Sequence, residues 1–164
     1  MNSLLYRKRA FCNDSDNAET EILEFTPNPM HLFMKGETKN LRIVLVRLSF
    51  WFMTFGKAKI YYRRADSGQM MHTSYVLPRC FKFPFLNKSD YCIGPCVTYP
   101  EFRGKGIYPA VLNAICQSYP TDTIFYMIVS DTNLPSIRGI EKAGFENVGR
   151  VKKTGVFKRY FRER

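Results

Sequence analysis

The chain is poor in acid, tryptophan and histidine. Its 164 residues hold 14 Asp or Glu against 25 Lys or Arg, a formal net charge of +11. That balance favours anionic partners such as nucleic acid, membrane surfaces or phosphorylated small molecules, without choosing among them. Only two histidines are present, His31 and His72, and the five cysteines form no C-x-x-C pair, so a zinc site is not expected. Cys92 and Cys96 lie on what reads as one strand, about 13 Å apart and too far for a bridge. Free thiols in a reducing cytoplasm are the expectation. "MNSLLYRKRAF" has no apolar stretch long enough for a secretory signal. A spanning helix needs about 20 apolar residues. The nearest candidate, "LRIVLVRLSFWFMTF" at 41–55, is shorter and carries Arg42 and Arg47. A helix packed on the core is the preferred reading there. Contact with a membrane surface is the minority reading, because basic and aromatic residues share the segment.

What is present suits a single domain spanning 1–164. Hydrophobic residues make up 45% and aromatics 15%, enough for a globular core. Residues 10–20 are polar and read as loop, and "FTPNPMH" as a connection. One or two helices, broken near Gly36, are expected between Met30 and Phe55. "KAKIYYRR" (57–64) and "QMMHTSYVL" (69–77) read as a hairpin about Asp66-Ser67-Gly68. "YCIGPCVTY" (91–99) reads as a strand whose Gly94-Pro95 predicts a bulge or an open edge. Residues 104–118 read as a helix and "TIFYMIV" (123–129) as a strand buried on both faces. A second helix starts at Asn133 as cap and ends at Gly144. "FENVGRV" and "GVFKRYF" read as closing strands.

The centre is therefore a parallel strand–helix–strand unit with the turn "EFRGKG" at the carboxyl end of its first strand, where ligands bind in such folds. A turn running into a helix N-terminus presents unpaired N–H groups and positive dipole, and Arg103 and Lys105 add charge. An anion site at 103–108 follows. It is not a Walker A loop, because residue 99 is Tyr. Nor is it a dinucleotide fingerprint, because residue 109 is Pro.

"VTYPEFRGKGIY" followed by "NLPSIRGIEKAGFENVGRV" (133–151) resembles the GCN5-related N-acetyltransferase (GNAT) family. The resemblance rests on Arg103-Gly104-Lys105-Gly106 and on Asn133 through Lys142, Gly144 and Phe145, and covers roughly residues 91–151. It implies an α/β (α+β) fold: a mixed, mostly antiparallel central sheet of six to seven strands, the parallel unit at its centre and about four helices. It implies acetyl-CoA as co-substrate and no metal. Loop amides from Arg103 through Gly104, Lys105, Gly106 and Ile107 to Tyr108 would hold the pyrophosphate. The backbone of Cys96, Val97 and Thr98 would pair with the pantetheine arm, and Asn133 and Ser136 would line the far wall. The strands at 91–98 and 123–129 would splay to admit the thioester. Residues 26–64 would flank the acceptor.

The implied reaction is acetyl transfer to the primary amine of a small molecule, an amino sugar being one candidate. Two alternatives stay open: a non-catalytic acyl-CoA-binding module of the same fold, and an acetyltransferase for protein or peptide amines. Nucleic acid is not expected as a partner, because the aromatics sit in apolar strands rather than among Lys and Arg. A homodimer is left open. Two positions depart from the family. Glu101 stands where Gln or Arg is usual, and its carboxylate is expected to point away from phosphate. Ile140 occupies the position of a tyrosine that protonates the leaving sulfur in many members, so either Tyr108 or Tyr126 is the donor or the thiolate leaves unassisted. Tyr91 stands where some members carry a basic carboxylate. Tyr91, the adjacent Asp90, and His72 are therefore the candidates for passing on the amine proton.

Overall fold

The computed structural model describes residues 3–12, 21–34, 37, 40–155 and 159–163. In chain order the elements are β1 (Ser3–Arg9), β2 (Ile22–Phe25), α1 (Leu41–Thr54), β3 (Lys59–Arg64), β4 (Met70–Pro78) and β5 (Tyr91–Thr98). A short 3-10 turn (Pro100–Phe102) follows, then α2 (Ile107–Gln117), β6 (Ile124–Ser130), α3 (Leu134–Lys142), β7 (Glu146–Thr154) and β8 (Arg159–Arg162). The strands form one eight-stranded sheet in the order β2-β3-β4-β5-β6-β1-β7-β8. Every neighbouring pair is antiparallel except β5–β6. This is the mixed, mostly antiparallel sheet expected, with the parallel unit β5–α2–β6 near its middle, but it has eight strands rather than six to seven, and three α-helices rather than about four form among the described residues.

Each face of the sheet carries its own core. Val111, Leu112, Ile115 and Cys116 of α2 and Ile140 of α3 pack with Ile93, Phe125 and Met127 on one face. On the other, Phe50 of α1 and Phe83 and Leu86 of the 79–90 loop pack with Leu5, Leu77, Cys92, Tyr126 and Val151. Burying these side chains stabilises the layers by roughly 1.5–3 kcal/mol each.

Of the one or two helices expected between Met30 and Phe55, only α1 forms among the described residues. The chain before it turns at Asn28, whose Oδ1 accepts from the amides of Met30 (3.0 Å) and His31 (2.8 Å). Asn40 then caps α1, its side chain accepting from Arg42 N at 2.8 Å. The expected break at Gly36 lies outside the described residues, as do 13–20 of the expected loop and 156–158 of the closing strand. The N-terminal segment is a strand, and it fills the slot between β6 and β7. Gly94-Pro95 brings the bulge that its sequence predicts: β4 pairs along β5 with a register shift between Ser74 and Val76, opposite these two residues, so β5 is an inner strand. On its other side β5 pairs with β6 only from Tyr91 to Ile93, so Gly94–Thr98 leaves an open flank inside the sheet.

Candidate active site

The two parallel strands part after Ile93, and the opening leads into a cavity of about 650 Å³. That size suits a drug-sized or cofactor-sized ligand. Its walls come from β5 and His72 of β4, the loop before α2, the first turn of α2 and one side of α3 as far as Lys142. Local sequence dictates this mouth. Gly104 (φ 77°) and Gly106 (φ 72°) adopt left-handed backbone that other residues resist. Gly106 is the N-cap of α2, so the helix starts at the turn without a side chain in the way. Among the described residues the amides of 104–108 donate to no protein acceptor, whereas those of Phe102 and Arg103 bond back to Tyr99 and Pro100 carbonyls. Five N–H groups are thus available at the positive end of α2. A Cβ built on either glycine would meet no protein atom within 4 Å.

The structure gathers most of the sequence-predicted binding residues around this cavity. Cys96, Val97, Thr98, Arg103, Gly104, Gly106, Ile107, Tyr108, Asn133 and Ser136 line it. Lys105 does not; its ammonium lies 5.3 Å from the centre of the Phe102 ring. Arg103 Nε donates to the carbonyl of Thr98 at 3.1 Å, tying the loop to the strand. Asn133 caps α3, accepting from Ser136 N at 3.3 Å. Glu101 bonds outward, accepting from Gln69 Nε2 at 2.7 Å in the β3–β4 hairpin. Arg138 and Lys142 also line the cavity and went unread as site residues. Their spacing of four, five residues after a helix cap, was the available signal: both fall on one face of α3.

Under the cavity lies a buried polar cluster. The β4–β5 register sets His72 opposite Thr98 and Ser74 opposite Cys96. His72 is 0% exposed, its Nδ1 2.7 Å from Thr98 Oγ1 and its Nε2 2.7 Å from Ser74 Oγ. The side chains of Ser74 and Tyr108 flank the Cys96 thiol. The Tyr108 ring lies 5.5 Å from that of His72. Burial pushes His72 down to about 4, the Cys96 thiol up to about 11 and the Tyr108 hydroxyl well above the ordinary tyrosine value. All three are therefore neutral at physiological pH. Because the native imidazole resists protonation and the unfolded one titrates near ~6.5, stability is full above that pH. It falls by about 3 kcal/mol as pH drops through the window down to about 4. Melting curves across this window are expected to show the loss in the native chain and a flatter profile for His72→Gln.

Two proton-path candidates, Tyr91 and Asp90, sit away from the residues that line the cavity. Tyr91 packs its ring edge-on against Tyr119 at 4.8 Å, at the zipped end of β5. Six residues of strand separate it from Val97, about 20 Å. Asp90 is buried in a turn and accepts from Asn87 N at 2.9 Å. Tyr126, the alternative donor, faces the other core beside Phe85 (5.6 Å). Ile140 is 1% exposed and belongs to the core. Its neighbour Gly139 carries the adaptation: the Tyr108 ring lies where a Cβ at 139 would stand, 2.5 Å from Cδ1. A tyrosine reaching from α2 thus occupies the space beside α3.

No family model matches this sequence, and a comparison with curated proteins finds no match. Solved structures do match. A GNAT-family acetyltransferase from Colwellia psychrerythraea superposes with a TM-score of 0.56 at 14% identity, over 90% of this chain and 53% of that one. A GNAT-family putative acetyltransferase from Novosphingobium aromaticivorans gives 0.55 at 15%, over 92% and 62%. A tandem GNAT protein from the clavulanic acid biosynthesis pathway gives 0.56 at 15%, over 91% and 51%. The chain thus spans between half and two thirds of these proteins' lengths. At such identities the likeness establishes the fold, and the fold is that of the GNAT acetyltransferases.

Proposed function

We propose that the protein is an acetyl-CoA-dependent N-acetyltransferase acting on the primary amine of a small molecule. The observation that carries this reading is the open flank of β5 beside a loop of five unpaired amides, at the mouth of a cavity of about 650 Å³. Diphosphate fits such amides, with Arg103, Arg138 and Lys142 as countercharges. The free backbone of Gly94–Thr98 can take an extended amide chain as if it were a strand.

In the transfer, the amine lone pair attacks the thioester carbonyl. The C–N bond forms, the C–S bond breaks and the electron pair leaves on sulfur. A backbone N–H near Val97 supports the charge that develops on the carbonyl oxygen. Tyr108 offers a hydrogen bond from its hydroxyl to the departing thiolate; burial holds the proton on oxygen, so the thiolate takes its own proton from water. A thiol of pKa about 8.5 leaves readily, so Tyr108→Phe is expected to lower kcat by roughly tenfold to a hundredfold while coenzyme affinity is unchanged.

No carboxylate lines the cavity, and His72 is neutral and fully bonded. The proton of the amine therefore goes to water. For a simple alkylamine, kcat/KM is expected to rise about tenfold per pH unit up to the amine's own pKa, near ~10. A plateau near neutrality would instead report a protein base.

Free thiol released from acetyl-CoA across a panel of amines tests the whole reading. Turnover with a small amine supports it. Saturable CoA binding without thiol release from any amine supports a non-catalytic acyl-CoA-binding module, the alternative that the buried, apolar Ile140 favours.

A further inference from the structure

Helix α1 is apolar on both faces. Residues 47, 50 and 54 point inward, and Phe50 belongs to the core. At 100° per residue, Leu41, Leu45, Leu48, Phe52 and Phe55 fall within one arc on the opposite side. Four of them are exposed, by 72% (Leu41), 59% (Leu45), 76% (Phe52) and 88% (Phe55). A helix that is apolar all round is ordinarily covered. Packing on the core, the reading preferred from sequence, accounts for only half of this helix.

The stripe also carries a conformational cost. Phe55 closes α1 in left-handed backbone, φ 51° and ψ 45°. That is a place for glycine, and a β-carbon there is strained. The chain nevertheless keeps a phenylalanine there, almost wholly in solvent.

We propose that this face docks on an anionic membrane surface, with α1 lying in the plane of the interface. Charge complementarity names the occupant. Arg42 is exposed on the helix itself. Arg7 and Arg9 alternate with Leu5 along β1, so they share the face of the sheet that α1 covers. Arg162 lies over the rings of Phe85 and Tyr126, members of the same core. Glu146, opposite Arg7 in the β1–β7 ladder, is an acid set among them. A second copy fits less well: an isologous contact would bring these arginines together in two chains of net charge +11. At 14 residues α1 is too short to span, and it would lie flat with Leu and Phe toward the acyl chains and Arg42 at the headgroups, the sheet-face arginines adding long-range attraction.

Trp51, the only tryptophan, sits on α1 at the flank of the stripe and reports on docking directly. The full chain is mixed with vesicles of phosphatidylcholine, with and without about 30% phosphatidylglycerol. Expected are co-sedimentation and a blue-shifted Trp51 emission with the anionic vesicles, weakened at least about tenfold at ~1 M salt. Phe52→Ser is expected to weaken binding about tenfold. Phe55→Gly separates docking from folding: it should weaken binding similarly while raising Tm by about 2–4 °C through relief of backbone strain. Failure to bind anionic vesicles overturns the proposal. So does a dimer in light scattering that Phe52→Ser dissociates while vesicles leave Trp51 unchanged. Neither outcome bears on CoA binding or thiol release.

Discussion

Gly106→Val is expected to lower affinity for CoA at least about a hundredfold, because it strikes the amide loop twice. A β-branched residue resists the left-handed backbone (φ 72°) that starts α2 at this turn. Its side chain would also enter the space the amides of 104–108 face, which protein atoms leave open. Backbone strain alone cannot produce that loss, and Gly68→Val is the control. Gly68 has the same backbone (φ 81°) and the same open surroundings, but it lies in the β3–β4 hairpin. Both variants should lose about 1–2 kcal/mol of stability, and only Gly106→Val should lose the ligand. Calorimetric titration of the pair checks this. Equal affinities would remove the loop from the account.

The second large effect concerns Gly139. Its missing side chain is what lets the Tyr108 ring lie against α3, since a Cβ would stand 2.5 Å from Cδ1 and 3.0 Å from Cε1. A ring carbon between two helices cannot swing aside as the tip of a lysine can. Gly139→Ala is expected to destabilise the chain by about 1–3 kcal/mol and to displace the Tyr108 hydroxyl from Cys96. Activity should then fall at least as far as in Tyr108→Phe. The cause is distinguishable from generic helix damage: alanine is the better helix former, so propensity alone would make the change stabilising. With Tyr108→Ala in place the same substitution should cost little, giving a coupling of about 1 kcal/mol or more between the sites. Additive effects in the double-mutant cycle would show that the two do not compete for the same space.

These two glycines mark the limits of what the residues disclosed unaided. Gly104 and Gly106 were legible, because a basic glycine turn between a strand and an apolar-periodic helix has few other uses. The same holds for Asn133, which announces a helix start, and for the apolar run of β6. The parting of β5 and β6 was legible from Gly94-Pro95 together with the family resemblance. Strand β1 was not. "SLLYRKR" places three apolar residues in a row and then three cations, so the two-residue alternation is blurred, and its partners lie more than a hundred residues away. Strand β2 has four residues, too few for a periodic signal. The His72–Ser74–Cys96–Tyr108 cluster depends on the register of one antiparallel pair and on a ring crossing to another helix. Neither is a local property of the chain. Tyr91 and Asp90 lie away from the cavity because a motif offset places a residue along a strand, whereas that end of β5 is still zipped to β6.

The most direct test of the central claim follows the backbone amides of 104–108 by nitrogen-proton NMR during titration with CoA. The account requires large, saturable shifts at Gly104, Lys105, Gly106, Ile107 and Tyr108, with Gly68 unmoved. Shifts that leave these five amides still, while CoA binds elsewhere or not at all, would contradict it.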